Sequence, residues 1–79
     1  MFDTTYLRFE ENEPKPGYKT KTVDVISQRS GDILGIIKWF GRWRQYAFFP
    51  SDNTIYNLEC LLNINQVLRA LMDERKRRE

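Results

Sequence analysis

A chain of 79 residues with a net charge of +2, one cysteine and no histidine leaves room for one small core and little catalytic chemistry. Without histidine, the commonest general base near neutral pH is missing, Ser–His and Cys–His nucleophile pairs cannot be built, and no zinc site of ordinary ligand set can form. Cys60 has no intramolecular partner, which predicts a reducing, cytoplasmic setting.

The chain opens on MFDTTYLRFEEN, which is acidic and lacks the apolar run of a signal peptide. Thr4 to Glu10 alternates with a period of two and predicts a first strand, with Leu7 and Phe9 on one face. Glu11 to Gly17 holds two prolines and a glycine, so it reads as a connector. The strand before it pairs either within the chain or with another protomer. Tyr18 to Ser27 predicts a second strand, strongest over Thr22–Ile26, and Arg29–Asp32 a turn in which Gly31 supplies the permissive backbone.

Ile33 to Phe40 predicts a third strand. Simple alternation places Ile33, Gly35, Ile37 and Trp39 on one face and Leu34, Ile36, Lys38 and Phe40 on the other. Both sets are largely apolar, which predicts a central strand. Gly35 inside it signals a bulge or a large ring laid over the backbone. A short turn at Phe40-Gly41-Arg42 leads to a fourth strand, Arg42 to Phe49, with Arg44, Tyr46 and Phe48 pointing one way. Thr54-Ile55-Tyr56 forms either a fifth strand or an extended approach to the helix.

Asn57 reads as the N-cap of a closing helix, with Glu59 in the first turn where the dipole favours an anion. Leu58, Cys60, Leu61, Leu62, Ile64, Val67, Leu68, Leu71 and Met72 spread over roughly 220° of its circumference, well beyond the ~100° stripe that one sheet covers. The surplus calls for a long connector or a second molecule. Leu61, Ile64, Leu68 and Leu71 are the expected sheet-facing set, meeting rings from Trp39, Tyr46 and Phe48. After Met72 the pattern stops, and the charged run to Glu79 is expected to be a fraying, solvated end. No apolar stretch approaches the length that spans a bilayer.

The fold expected is α+β: an antiparallel meander of four to five short strands with one C-terminal helix packed on one face. One domain covers residues 1–79, with the N-terminal strand and connector at 1–17, the meander at 18–56 and the helix with its charged tail at 57–79.

Charge is unevenly spread. Residues 1–14 set one arginine against Asp3, Glu10, Glu11 and Glu13, a balance of −3. Residues 15–50 set Lys15, Lys19, Lys21, Arg29, Lys38, Arg42 and Arg44 against Asp24 and Asp32, a balance of +5. A basic body is the electrostatic footprint of a polyanion partner. Within it, Lys38, Trp39, Phe40, Arg42, Trp43, Arg44 and Tyr46 interleave cations with rings, as single-strand binders do. The same pattern arises when Trp39 and Trp43 simply pack the core of an aromatic hairpin. Arg44 and Tyr46 on one strand face also offer an arginine–tyrosine pair for a small anion, or an ordinary cation–π contact. Cys60 falls inside the apolar arc and reads as a buried structural thiol. The carboxylates lie in turns with nothing to pair them across a cleft, and the four glycines make no phosphate-cradling pattern.

The run Leu34-Gly35-x-Ile37-x-Trp39-x-x-x-Trp43-Arg44-x-Tyr46-x-Phe48, closed by Pro50 and a leucine-rich helix and preceded by Lys21-Thr22, resembles a group of small uncharacterised proteins of bacteria and their phages. The likeness spans about residues 21–71. It brings no activity with it. It implies an accessory protein of a phage or mobile element that works by binding a protein partner, a component of the host or of a defence system.

Three functional classes follow. The first is a non-catalytic module that binds a protein partner or forms a homodimer through the C-terminal helix. The second is a nucleic-acid-binding module at the hairpin tip, and the third a small-anion binder or enzyme at Arg44 and Tyr46. No cofactor, metal or membrane enters any of them. If the hairpin carries a site, its tip at residues 38–44 is the place.

Overall fold

The structure, a computed structural model, describes residues 3–78. Four strands, β1 (Leu7–Asn12), β2 (Thr22–Ser27), β3 (Ile33–Phe40) and β4 (Gln45–Pro50), form one antiparallel sheet in the order β1-β2-β3-β4, and α1 (Leu58–Arg78) closes the chain. The expected α+β meander is the observed architecture. β1 pairs with β2 of its own chain, Phe9 opposite Val25 and Glu11 opposite Val23.

The core lies between the sheet and α1. Leu7 and Phe9 of β1, Val23 and Val25 of β2, Ile37 of β3 and Tyr46 of β4 turn to the helix and meet Cys60, Ile64, Val67 and Leu71. Trp39, Phe48, Tyr56, Leu68 and Met72 rim this cluster. Cys60 is accordingly a buried free thiol. Leu61 does not belong to the sheet-facing set: it is 51% exposed, and Cys60 and Val67 take the inward positions instead. The 220° arc contained two overlapping stripes, and spacing alone did not say which one faced the sheet.

Local hydrogen bonds explain where the elements begin and end. The Leu7 N–H donates to Thr4 Oγ1 at 3.2 Å and the Thr4 N–H to the Leu7 carbonyl at 2.8 Å. This local turn consumes the groups a strand would need, so β1 starts at Leu7 rather than Thr4. The connector correspondingly runs over residues 13–21. The register shifts between Val25 and Ile26, which face Gly35 and Ile33, so Leu34 is the extra residue of a bulge. The bulge reverses the faces expected at its start: Leu34 packs against the core, while Ile33 is 57% exposed. Gly35 has the ring above it that its presence signalled, since a Cβ there would lie 2.6 Å from Phe48 Cε1.

Residues 54–56 form no strand. They are the extended approach to α1, held where the Tyr56 hydroxyl donates to the Leu34 carbonyl at 2.6 Å. Asn57 caps the helix as expected, its Oδ1 accepting the Cys60 N–H at 2.8 Å. The helix continues past Met72 to Arg78, against the expected fraying. Two contacts of its last turns supply the reason. Glu74 pairs with Lys21 at 2.9 Å, and the Arg75 guanidinium lies 4.0 Å from the Trp39 ring centroid.

Candidate functional site

The β2–β3 pairing ends at Val23 opposite Ile37, whereas β3 and β4 stay paired through Lys38–Ala47, Trp39–Tyr46 and Phe40–Gln45. Residues 38–47 therefore project as a two-stranded ribbon beyond β2. The ribbon is closed by residues 41–44, a longer loop than the expected turn at Phe40-Gly41-Arg42. The Trp43 N–H donates to the Phe40 carbonyl at 3.1 Å and the Arg44 N–H to the Gly41 carbonyl at 3.2 Å. Arg44 closes the loop with φ at +54°, a left-handed conformation uncommon outside glycine.

This loop separates residues that strand alternation had joined. Arg44 is exposed in the loop, while Tyr46 is 8% exposed, its ring edge-on to Trp39 at 5.4 Å and its backbone N–H donating to Met72 Sδ at 3.3 Å. They do not share a strand face. Trp39 belongs to the rim of the core. Trp43 stands 62% exposed, braced edge-on by Phe40 at 4.7 Å and flanked by the exposed Arg42 and Arg44. Phe40 in turn meets Phe49 at 5.9 Å, and Lys38 Nζ lies 4.6 Å from the Phe49 ring centroid. So Lys38, Phe40, Arg42, Trp43 and Arg44 gather at the tip and on the sheet face that α1 leaves uncovered. Trp39 and Tyr46 face the helix.

Carboxylates are absent from residues 33–51. On the same open face, the β1–β2 half carries Glu10 and Asp24, with Arg8 Nε 3.3 Å from Glu10 Oε1. Positive charge is thus concentrated on the β3–β4 half.

Beside the ribbon, the connector overhangs a groove of about 550 Å³ lined by Asn12, Glu13, Lys15, Tyr18, Lys38 and Trp39 among others. Tyr18 is 67% exposed. A second groove of about 640 Å³ opens on the helix side of the connector, with Glu11, Lys21, Tyr46, Glu74 and Arg75 in its wall. Lys21 bridges Glu11 and Glu74, and its ammonium is held above the ordinary lysine value by hydrogen bonds first to Glu11 and then to Glu74. None of these connector residues was singled out above as a site. The signal was present in Lys15-Pro16-Gly17-Tyr18-Lys19, a ring among cations in a turn.

At the far end of α1, Ile55 is 92% exposed, Leu58 74%, Leu61 51% and Leu62 52%. The three leucines stand at i, i+3 and i+4 and so share one helix face. This strip is the surplus that the wide arc foretold.

The geometry defines a small antiparallel meander with a closing helix, a projecting basic-aromatic ribbon at one end and an apolar helix strip at the other. The chain is 37% identical over 73 residues to an uncharacterised 9.3 kDa protein of Acholeplasma phage L2, an alignment covering 92% of each protein. It belongs to the family of that small phage protein. No protein-family model and no solved structure matches it significantly. Among the described residues, no helix is long and apolar enough to cross a membrane.

Proposed function

We propose that this chain is a non-catalytic phage accessory protein that acts in the host cytoplasm through protein–protein contact. Its docking surface is the strip of Ile55, Leu58, Leu61 and Leu62, and the occupant is a second copy of the chain. The observation that carries this reading is the exposure of those four large aliphatic side chains. Exposed apolar surface contiguous over a helix face marks an interaction site. The strip offers on the order of 500 Å² per copy, so a two-fold pairing buries about 1,000 Å², the lower bound of a specific interface.

The edges of the sheet favour the helix as the route of association. Along β4, outward-facing N–H groups recur at every second residue. The Tyr46 N–H is taken by Met72 Sδ, and Pro50 has none to give. The second half of the β1 edge carries exposed Glu10 and Glu11, and the chain runs on from Asn12 to Pro14. Charge, proline and capped donors all disfavour strand-to-strand pairing. Sedimentation across a range of concentrations tests the proposal. A dimer that Leu58→Lys converts to a monomer supports it, and a strict monomer at all concentrations removes it.

A second reading attaches to the ribbon tip: binding of a nucleic acid through Lys38, Arg42 and Arg44. The exposed Trp43 between two exposed arginines favours it, because a ring with only a packing role would be covered.

A further inference from the structure

The geometry points to a site for unpaired nucleotides that begins at Trp43 and continues past Lys38 into the groove beneath the connector. The inference rests on the tip reading above and specifies its ligand as single-stranded.

Three observations carry it. Trp43 and Tyr18 are the two most exposed rings among the described residues, at 62% and 67%. Lys38 belongs to both features: it sits on the ribbon, and it lines the groove in which Tyr18 stands. The cations along this path are Lys15, Lys38, Arg42 and Arg44, against one carboxylate, Glu13, in the groove wall.

The chemistry follows from the shapes. A base inside a duplex has both faces stacked, so an exposed indole braced from one side by Phe40 has nothing to stack on in paired nucleic acid. An unpaired base offers a free face. Phosphates of a single strand then fall to the four cations. The groove side chains Asn12, Thr20 and Thr22 add hydrogen-bonding groups where a flexible backbone passes. Arg44 in its left-handed conformation sets the loop geometry that holds Trp43 outward.

The test is fluorescence anisotropy of a labelled oligothymidylate titrated with the full chain at low salt. A blunt duplex and inorganic polyphosphate serve as competitors. The expected result is binding whose log K falls with log salt at a slope of about −3, from some four phosphates at −0.7 each. Trp43→Ala and Tyr18→Ala should each weaken binding about tenfold. Both side chains are exposed, so circular dichroism should show the variants folded as the wild type. Equal affinity for duplex and polyphosphate, unaffected by either ring substitution, overturns the single-strand inference while the charged tip survives. Loss with Trp43→Ala but not Tyr18→Ala overturns the extension into the groove. No binding of any polyanion overturns both.

Discussion

The Arg75 guanidinium carbon lies 4.0 Å from the centroid of the Trp39 ring, whose edge-on neighbour is Tyr46. A residue in the charged end of the helix thus closes the aromatic rim of the core. Removing the cation removes an interaction of about 0.5–2 kcal/mol. Arg75→Ala should lower the melting temperature by several degrees, since about 1 kcal/mol shifts a domain of this size by roughly 4–8 °C. Arg75→Lys should recover only part, because an ammonium stacks less well on a ring than a planar guanidinium. Thermal unfolding of the three proteins decides the matter.

Of the four glycines, Gly35 alone has no room for a side chain. A Cβ there would meet Phe48 Cε1 at 2.6 Å and the Phe49 carbonyl oxygen at 2.7 Å. The first contact can be relieved by a side chain moving; the second is backbone. Gly35→Ala should therefore cost about 1–3 kcal/mol in urea unfolding. Adding Phe48→Leu should return only a fraction of it. Full recovery in the double variant would show that the backbone contact is unimportant.

At Lys21, two carboxylates hold the proton. Its folded pKa is raised above the ordinary lysine value by Glu11 first and Glu74 second. A raised pKa means stability that is fully present below the unfolded value and lost as pH climbs through the folded one. From neutral pH to about pH 10, melting curves should therefore show wild type ahead of Lys21→Met by a constant margin. The margin should shrink above that. A margin independent of pH through this window would assign the effect to the lysine stem alone.

Asn57 ties the apolar approach segment to the helix through its Oδ1 and the Cys60 N–H. Asn57→Ala should cost about 1 kcal/mol, and Asn57→Asp should hold the wild-type level, since a carboxylate also suits the helix N-terminus. Chemical denaturation followed by far-ultraviolet circular dichroism measures both.

Much of the fold could be read directly from residue patterns. The alternation of Leu7 with Phe9, the Asn57 cap and the β3 span from Ile33 to Phe40 all appear in the structure as expected. Features that depend on a distant partner could not. Leu34 and Ile33 exchange faces because β3 bulges at Leu34 against β2, which no period-two rule anticipates. Leu61 lost its place to Cys60 and Val67 because two stripes of nearly equal hydrophobicity competed on one helix. Arg75 and Glu74 looked like solvated tail because their partners, Trp39 and Lys21, lie dozens of residues earlier. At the candidate site, the tip residues were legible as a basic-aromatic cluster. Their division into Trp43 outside and Trp39 inside required the four-residue loop.

In the proposed dimer, Ile55 and the exposed leucines Leu58, Leu61 and Leu62 of α1 meet their counterparts on a second copy of the chain. Sedimentation velocity over a hundredfold concentration range tests it most directly. The expected result is a concentration-dependent dimer in the wild type and a monomer in Leu58→Lys, with unchanged circular dichroism. A wild type that sediments as a monomer throughout the range would contradict it.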